Sequence, residues 1–417
     1  MAIELSTITF TELDDIVPQF GEEVIFNIGI ANTLAGDDII TGTAILNGST
    51  EALSNSGTLN TDDGNDIITG RGGWYSPGIL HWGYMNTGDG NDVITGISFT
   101  SFMGIGSYGA IDTGNGDDVI TGISGSTGIR NEAIINTGNG NDLISSQGNF
   151  LNRDRVFLEN GNDSIIITGD QGILFNFSNT EVVGASSIID TGGGKDIIIS
   201  NDIYNDGVIN TGNDEDSIIF LRTLRNYGGV FLGEDNDSIT ADTDFPDRAL
   251  ENFNFIGTGD GNDTITTTGV IYNEGVIETG NGDDSIIVDG GIDDITGTTY
   301  GIKNNGGAIN MGDGNDSIIA NEGFESGLNS SGAWFLGEGD DYIKGYGSGD
   351  FYGGNGNDTL ELTPGIYTVG IWGEGGESPI FTKDSQLMIT SEFEKLKAGG
   401  TMYDFTSLTT GQIITVV

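Results

Sequence analysis

Apolar residues in this chain fall into a short register that keeps returning. Its centre is an Asp with Ile two residues later and another apolar residue seven before, as in Asp92, Ile94 and Met85. Fourteen copies align on Asp38, Asp66, Asp92, Asp118, Asp142, Asp163, Asp196, Asp216, Asp237, Asp263, Asp284, Asp316, Asp341 and Asp358. Ile holds the later place in thirteen copies and Leu360 in the last. The earlier place holds Leu59, Met85, Ile111, Ile135, Val156, Ile189, Ile209, Val230, Ile256, Ile277 and Ile309. Alternation around each place predicts two short half-buried strands per copy. Successive motif Asp residues as far as Asp341 lie 20 to 33 positions apart. Self-similarity at that period means stacked coils sharing one continuous core.

The polar positions are equally regular. Gly stands two residues before the Asp in twelve copies, with Asp214 and Asp235 as the exceptions. Asn stands eleven before it in nine copies: Asn27, Asn55, Asn131, Asn152, Asn205, Asn226, Asn252, Asn273 and Asn305. The segment from that Asn to the motif Ile should therefore have fixed length, with insertions confined to the corner before the Asn. Asn at one place in stacked coils predicts an amide ladder. His81, the single His, occupies the Asn place of its coil and reads as a ladder substitute. Trp74, Trp82, Trp334 and Trp372 are scattered and are expected to cap or line the core. Phe157, Phe231 and Phe335, each followed by Leu, are expected to seal a corner.

The expected architecture is an all-β, right-handed parallel β-solenoid (a β-roll or β-helix) of about fourteen coils with capped ends. Residues 1–31 read as the N-terminal cap and 32–336 as an expanded solenoid. Residues 337–362 hold more compact coils, and 363–417 read as a C-terminal cap and secretion region. Within the last, Glu392 to Gly399 is the one stretch with helical character.

Charge changes the picture most. Thirteen Lys and Arg face 63 Asp and Glu, a net charge of −50 over 417 residues. Nucleic acid and anionic membranes are poor partners for that field, and cations are good ones. There is no Cys, so neither a disulfide nor a thiolate metal site is available. Gly at 72 residues with only 5 Pro points to ordered turns and not to a Pro-rich linker. The first twenty residues lack a basic, then apolar, leader, and no apolar run is long enough to span a membrane. Export to the cell surface or beyond would then proceed without a cleaved N-terminal signal.

Calcium takes six to eight oxygen ligands from carboxylates and carbonyls. The motif offers both kinds: an Asp at the strand entry and glycines that let the turn adopt positive φ. All fourteen motif Asp residues are therefore candidate ligands, with neighbouring turns close enough to share an ion. Asn would serve an ordinary turn as well, yet the place is Asp in every copy. Gly-Gly-Asn-Gly-Asn-Asp-Thr-Leu, Gly353 to Leu360, resembles the nonapeptide of RTX, or hemolysin-type, calcium-binding proteins. That resemblance covers about residues 32–362. It implies a calcium-bound β-roll, Asp ligands, and type I export read from an uncleaved C-terminal signal. Only 337–362 approaches the tandem spacing of that family, so calcium is expected on one edge elsewhere. Leu34, Asp62 and Glu159 replace the Gly four before the Asp, and Lys195 adjoins Asp196. Weaker sites are expected near Asp38, Asp163 and Asp196.

The function expected is a secreted calcium-binding β-solenoid with a structural, matrix or surface role that folds on binding Ca²⁺. Its partners would be calcium, with itself or an extracellular polysaccharide left open. No enzyme is expected: no Gly-x-Ser-x-Gly elbow or His-Glu-x-x-His occurs. The alternatives are a polysaccharide-acting enzyme or adhesin working through inserted loops, and an ice-binding protein. For the last, Thr recurs before the first motif Gly at Thr87, Thr113, Thr137 and Thr279.

Overall fold

In a computed structural model of the protein, the described residues are 2–18, 23–44, 51–100, 102–169, 172–177, 187–241, 248–293, 295–326, 332–372 and 378–417. They form two compact units, Met1–Asp216 and Ser217–Val417. Each unit is a parallel β-solenoid. No helix is long and apolar enough to cross a membrane among the described residues.

A coil of the first unit shows the pattern. Strand Val93–Ile97 alternates half-buried and buried residues, and pairs in parallel register with Ile67–Arg71 and with Val119–Asn131. Ile94 therefore stacks on Ile68 and Ile120, and all three are fully buried. A corner leads to Ile105–Ser107, and a turn leads to Ala110–Asp112, whose Ile111 stacks on Met85 and Ile135. Most coils thus carry three strand segments, one more than the alternation predicts; the compact coil after Asp341 carries two, Tyr342–Lys344 and Gly349–Asn355. The extra segment ends at the Asn place and buries an apolar residue two before it, such as Ile25, Leu53, Ile79 and Ile129. Full burial of one such side chain contributes about 1.5–3 kcal/mol, and the stack repeats it coil after coil.

The second unit repeats the scheme, for example Ser285–Val288 between Thr264–Thr267 and Ser317–Ala320. Its end differs from expectation. Glu392 to Gly399 is not helical: Lys395–Ala398 is a strand, parallel to Thr359–Leu362 with Leu396 on Leu360. Its alternating burial matches the sheet, and Glu392 at φ +63° turns the chain into it. Gly365–Trp372, Ser378–Lys383 and Ile413–Val416 pair antiparallel beside it.

Three further expectations need correcting. The fixed-length segment fails in the coil of Asp196, where Asn176 fills the ladder place and the extra residues follow it. In the coil of Asp316 the ladder residue is Asn304, not Asn305, which bonds to Tyr272 and Glu274 instead. Of the four Trp residues only Trp334 is buried; Trp74, Trp82 and Trp372 are 63%, 54% and 61% exposed.

Candidate metal centre

Two files of buried polar side chains run along opposite edges of the coils. The first is the amide ladder. Within Met1–Asp216, Asn27 Nδ2 donates to Asn55 Oδ1 at 2.9 Å, and Asn131, Asn152 and Asn176 continue the series to Asn205. Within Ser217–Val417, Asn226, Asn252, Asn273 and Asn304 do the same. Each Nδ2 also donates to a carbonyl of the next coil, as Asn55 does to Tyr84 O at 2.9 Å. His81 fits the file as expected: Asn55 Nδ2 meets its Nδ1 at 3.1 Å, and its Nε2 donates to Ala110 O at 2.8 Å. Burial, the larger cause, lowers its pKa to about 4, so the ring is neutral.

The second file is the motif Asp residues, nearly inaccessible throughout. The backbone N–H of each donates to the Oδ1 of the next. Asp38 bonds to Asp66, Asp66 to Asp92 and Asp92 to Asp118, at 2.7–2.8 Å. Asp142, Asp163, Asp196 and Asp216 follow in the first unit. In the second unit the file runs through Asp237, Asp263, Asp284, Asp316, Asp341 and Asp358. Sequence reasoning missed both ends. Asp15 N–H donates to Asp38 Oδ1, and Glu394 Oε2 accepts from Asp358 N–H. Apolar Val17 and Leu396, two residues beyond, are the signals that could have found them.

The second oxygen is the anomaly. Oδ2 of Asp38, Asp66, Asp92, Asp118, Asp142, Asp163 and Asp196 is buried and met by no N–H. The same holds for Asp263, Asp284, Asp316, Asp341 and Asp358. In the first group a Thr hydroxyl stands beside the carboxylate in every coil but that of Asp163. At Thr33, Thr61, Thr87, Thr113 and Thr191 its proton goes to the next coil's carbonyl. A buried carboxylate oxygen left unpaired is costly. Burial chiefly, with neighbouring ladder carboxylates, raises Asp66 and Asp118 to about 7. Asp163 reaches about 8, where Leu158 stands in place of the Thr that other coils carry.

That Thr file is interior. Thr61, Thr87 and Thr113 are buried beside the Asp file, and their hydroxyls donate to the next coil's carbonyl at 3.2–3.3 Å. The Thr87, Thr113, Thr137 and Thr279 file is therefore closed to any external surface.

The turn glycines serve stacking as much as turning. Gly88 and Gly90 have φ +90° and +147°, and a Cβ at Gly90 would lie 1.7 Å from Gly64 O. Leu34, Asp62 and Glu159 adopt positive φ without being Gly, at 69°, 58° and 70°. Outside the turn, the residue before the motif Asp forms an exposed ladder of opposite polarity. Asn91 N–H donates to Asn65 Oδ1 and Asp117 N–H to Asn91 Oδ1, both at 2.9 Å. Lys195 sits in this exposed file and ion-pairs with Glu215.

Among the described residues no three His, Cys, Asp or Glu side chains converge as a metal cluster. The groups whose chemistry suits calcium are the Asp oxygens of this file, which lie beside a Thr hydroxyl at Asp66, Asp92 and Asp118.

No family model matches the sequence, and no curated protein matches it. Among solved structures the chain is similar to a hyperactive, Ca²⁺-dependent, β-helical antifreeze protein from an Antarctic bacterium. Identity is 22%, over 76% of this chain and 82% of that one, with a TM-score of 0.48. The fold described above rests on the strand register itself.

Proposed function

We propose that this protein is a secreted, calcium-loaded β-solenoid with a structural or surface role outside the cell. The observation that carries the reading is the file of buried Asp Oδ2 atoms that no N–H reaches. Asn in the same place would provide Oδ1 for the ladder, so the hydrogen bond alone does not require Asp. The second, charged oxygen asks for a cation, and stacking repeats that demand along the edge. Calcium would be held by the fourteen motif Asp residues with oxygen atoms of their turns, and would neutralise much of the negative charge. Binding would drive folding, since carboxylates at strand spacing repel without it. Extracellular calcium modules bind at roughly 10⁻⁴–10⁻³ M, which would leave the chain unfolded in cytosol and folded outside. The RTX resemblance and the absence of Cys agree with such a route, type I export included.

Circular dichroism with EDTA, then with millimolar calcium, tests the reading. A β signal that appears only with calcium supports it, and an unchanged β signal at neutral pH overturns it.

Ice binding keeps one observation. Thr41, Thr69, Thr95 and Thr121 stack in register in the first unit, beside a file of Ile39, Ile67, Val93 and Val119; Thr41, Thr95 and Thr121 are half-buried and Thr69 is buried. Thermal hysteresis of the calcium-loaded protein, lost in Thr95→Lys, would support that reading, and absence of hysteresis would remove it.

A further inference from the structure

Within Ser217–Val417 the outward side of the motif turns is a trench, separate from the buried Asp side chains that carry the calcium reading. Its floor is the glycine file Gly233, Gly259, Gly280, Gly312, Gly337 and Gly354, paired coil to coil. A cavity of about 460 Å³ opens over the first four, and another of about 380 Å³ shares Gly312 and Asp313 and continues it. Five coil steps at about 4.8 Å give a lane of roughly 24 Å, suited to a linear chain and longer than a small molecule needs.

One end is paved with aromatic rings. Phe231 and Phe255 lie 5.2 Å apart, tilted by 30°. Each covers a glycine of its own strand: a Cβ at Gly229 or Gly257 would come within 2.5 or 2.7 Å of the ring. Phe335 and Tyr352 stack at 4.9 Å toward the other end. Phe231 and Phe335 are each 41% exposed, so they do not seal a corner as the sequence suggested. Between them the exposed carboxylates of Asp260, Glu278 and Asp313 line the lane, Asp260 accepting from Asn281 Nδ2 at 2.6 Å, and among the described residues no Lys or Arg lines it.

Apart from Phe157, the first unit fills the same strand position with Asn or Asp. Asn86 bonds to Asn60, Asn136 to Asp112 and Asn210 to Asp190, side chain to side chain. In the second unit that place holds Phe231, Gly257, Glu278, Asn310, Phe335 and Tyr352. Shielding backbone accounts for a ring over a glycine. It does not account for a continuous lane with carboxylates at its middle.

We infer that this trench binds a linear polysaccharide of protonated amino sugars. The apolar faces of the sugar rings would stack on Phe231 and Phe255, and their ammonium groups would meet Asp260, Glu278 and Asp313. Charge complementarity selects this occupant: neutral sugars leave the carboxylates unanswered, and anionic ones are repelled.

The test is calorimetric titration of the full-length protein, in whichever calcium condition gives its β signal. The probes are a glucosamine hexamer, its N-acetylated counterpart and a hexalysine peptide. The glucosamine hexamer should bind, with the N-acetylated form weaker by about tenfold or more. Phe231→Ala with Phe255→Ala should weaken binding about tenfold at unchanged thermal stability. Glu278→Gln, a conservative exposed change, should weaken it and flatten its salt dependence. Equal binding of the neutral hexamer overturns the proposal. Hexalysine binding as tightly, with no loss in the Phe variants, also overturns it and leaves only a general polyanion effect. Neither result bears on the calcium reading, which a β signal independent of calcium would defeat separately.

Discussion

The two buried edges of the coil solve one problem in two ways. On the Asn edge each amide donates to the next amide and to a nearby carbonyl, and the file closes on itself. On the Asp edge Asp118 accepts one N–H and keeps an oxygen that no N–H reaches, as do Asp66, Asp92 and Asp142. Geometry and burial are alike, so the difference is chemical. An amide carries its own donor, and a carboxylate must be supplied with one from outside. The Asn edge needs no outside group, while on the calcium reading the Asp edge would make the fold conditional on a proton or a metal ion.

Removing calcium should break that comparison most visibly. With EDTA at neutral pH the β signal should collapse, and far-ultraviolet dichroism should show it return with calcium. Acid should partly replace the metal. The buried Asp pKa values are raised above the unfolded value of 3.8, to about 6 for Asp92 and about 7 for Asp66. Carboxylates shifted in that direction stabilise the metal-free fold below the unfolded pKa and cease to do so as pH rises through 6 to 7. EDTA-treated protein should therefore keep more β signal at pH 5 than at pH 8, read in the same instrument.

Single substitutions sharpen the contrast. Asn252→Ala removes donors to Asn273 Oδ1 and Val276 O, both at 2.9 Å. It should cost about 2–3 kcal/mol with and without calcium, measured by denaturant unfolding. Asp92→Asn should do the reverse of a simple loss. The metal-free form should gain about 1 kcal/mol, and bound calcium counted by mass spectrometry should fall. The smallest effect belongs to His81. A His pKa lowered from 6.5 to about 4 means stability is full above 6.5 and declines as pH falls toward 4. His81→Asn should remove that slope from the calcium-loaded protein's melting curve between pH 6.5 and 4.

Much of this was legible because a solenoid writes each contact many times. The motif Asp, the Ile two places on and the apolar residue seven before it all fall where the register put them. Apart from the extra strand segment that ends at the Asn place, what escaped was whatever occurs once. Asn304 and Asn305 are adjacent and chemically identical, and only the pairing to Asn273 tells them apart. Asp15 and Glu394 lie where the flanking glycines are missing, so the motif does not reveal them although the ladder uses them. Lys395–Ala398 read as helical because Glu and Lys favour helices, and the neighbouring strand overrode that preference. The trench was invisible for a different reason. It depends on which outward residues lie side by side in successive coils, and uneven coil lengths conceal that from the linear chain.

The Asp edge bonds each junction in both directions. Every buried Asp N–H in the second unit is answered by the coil that follows it, ending on Glu394. The N–H of the next residue runs the other way, to the carbonyl of the preceding Asp, as Ser285 does to Asp263 at 2.8 Å and Lys395 to Asp358 at 2.9 Å. Excising one coil would therefore strand a donor on one neighbour and an acceptor on the other, and the two could meet again only if the cut spans a whole number of repeats.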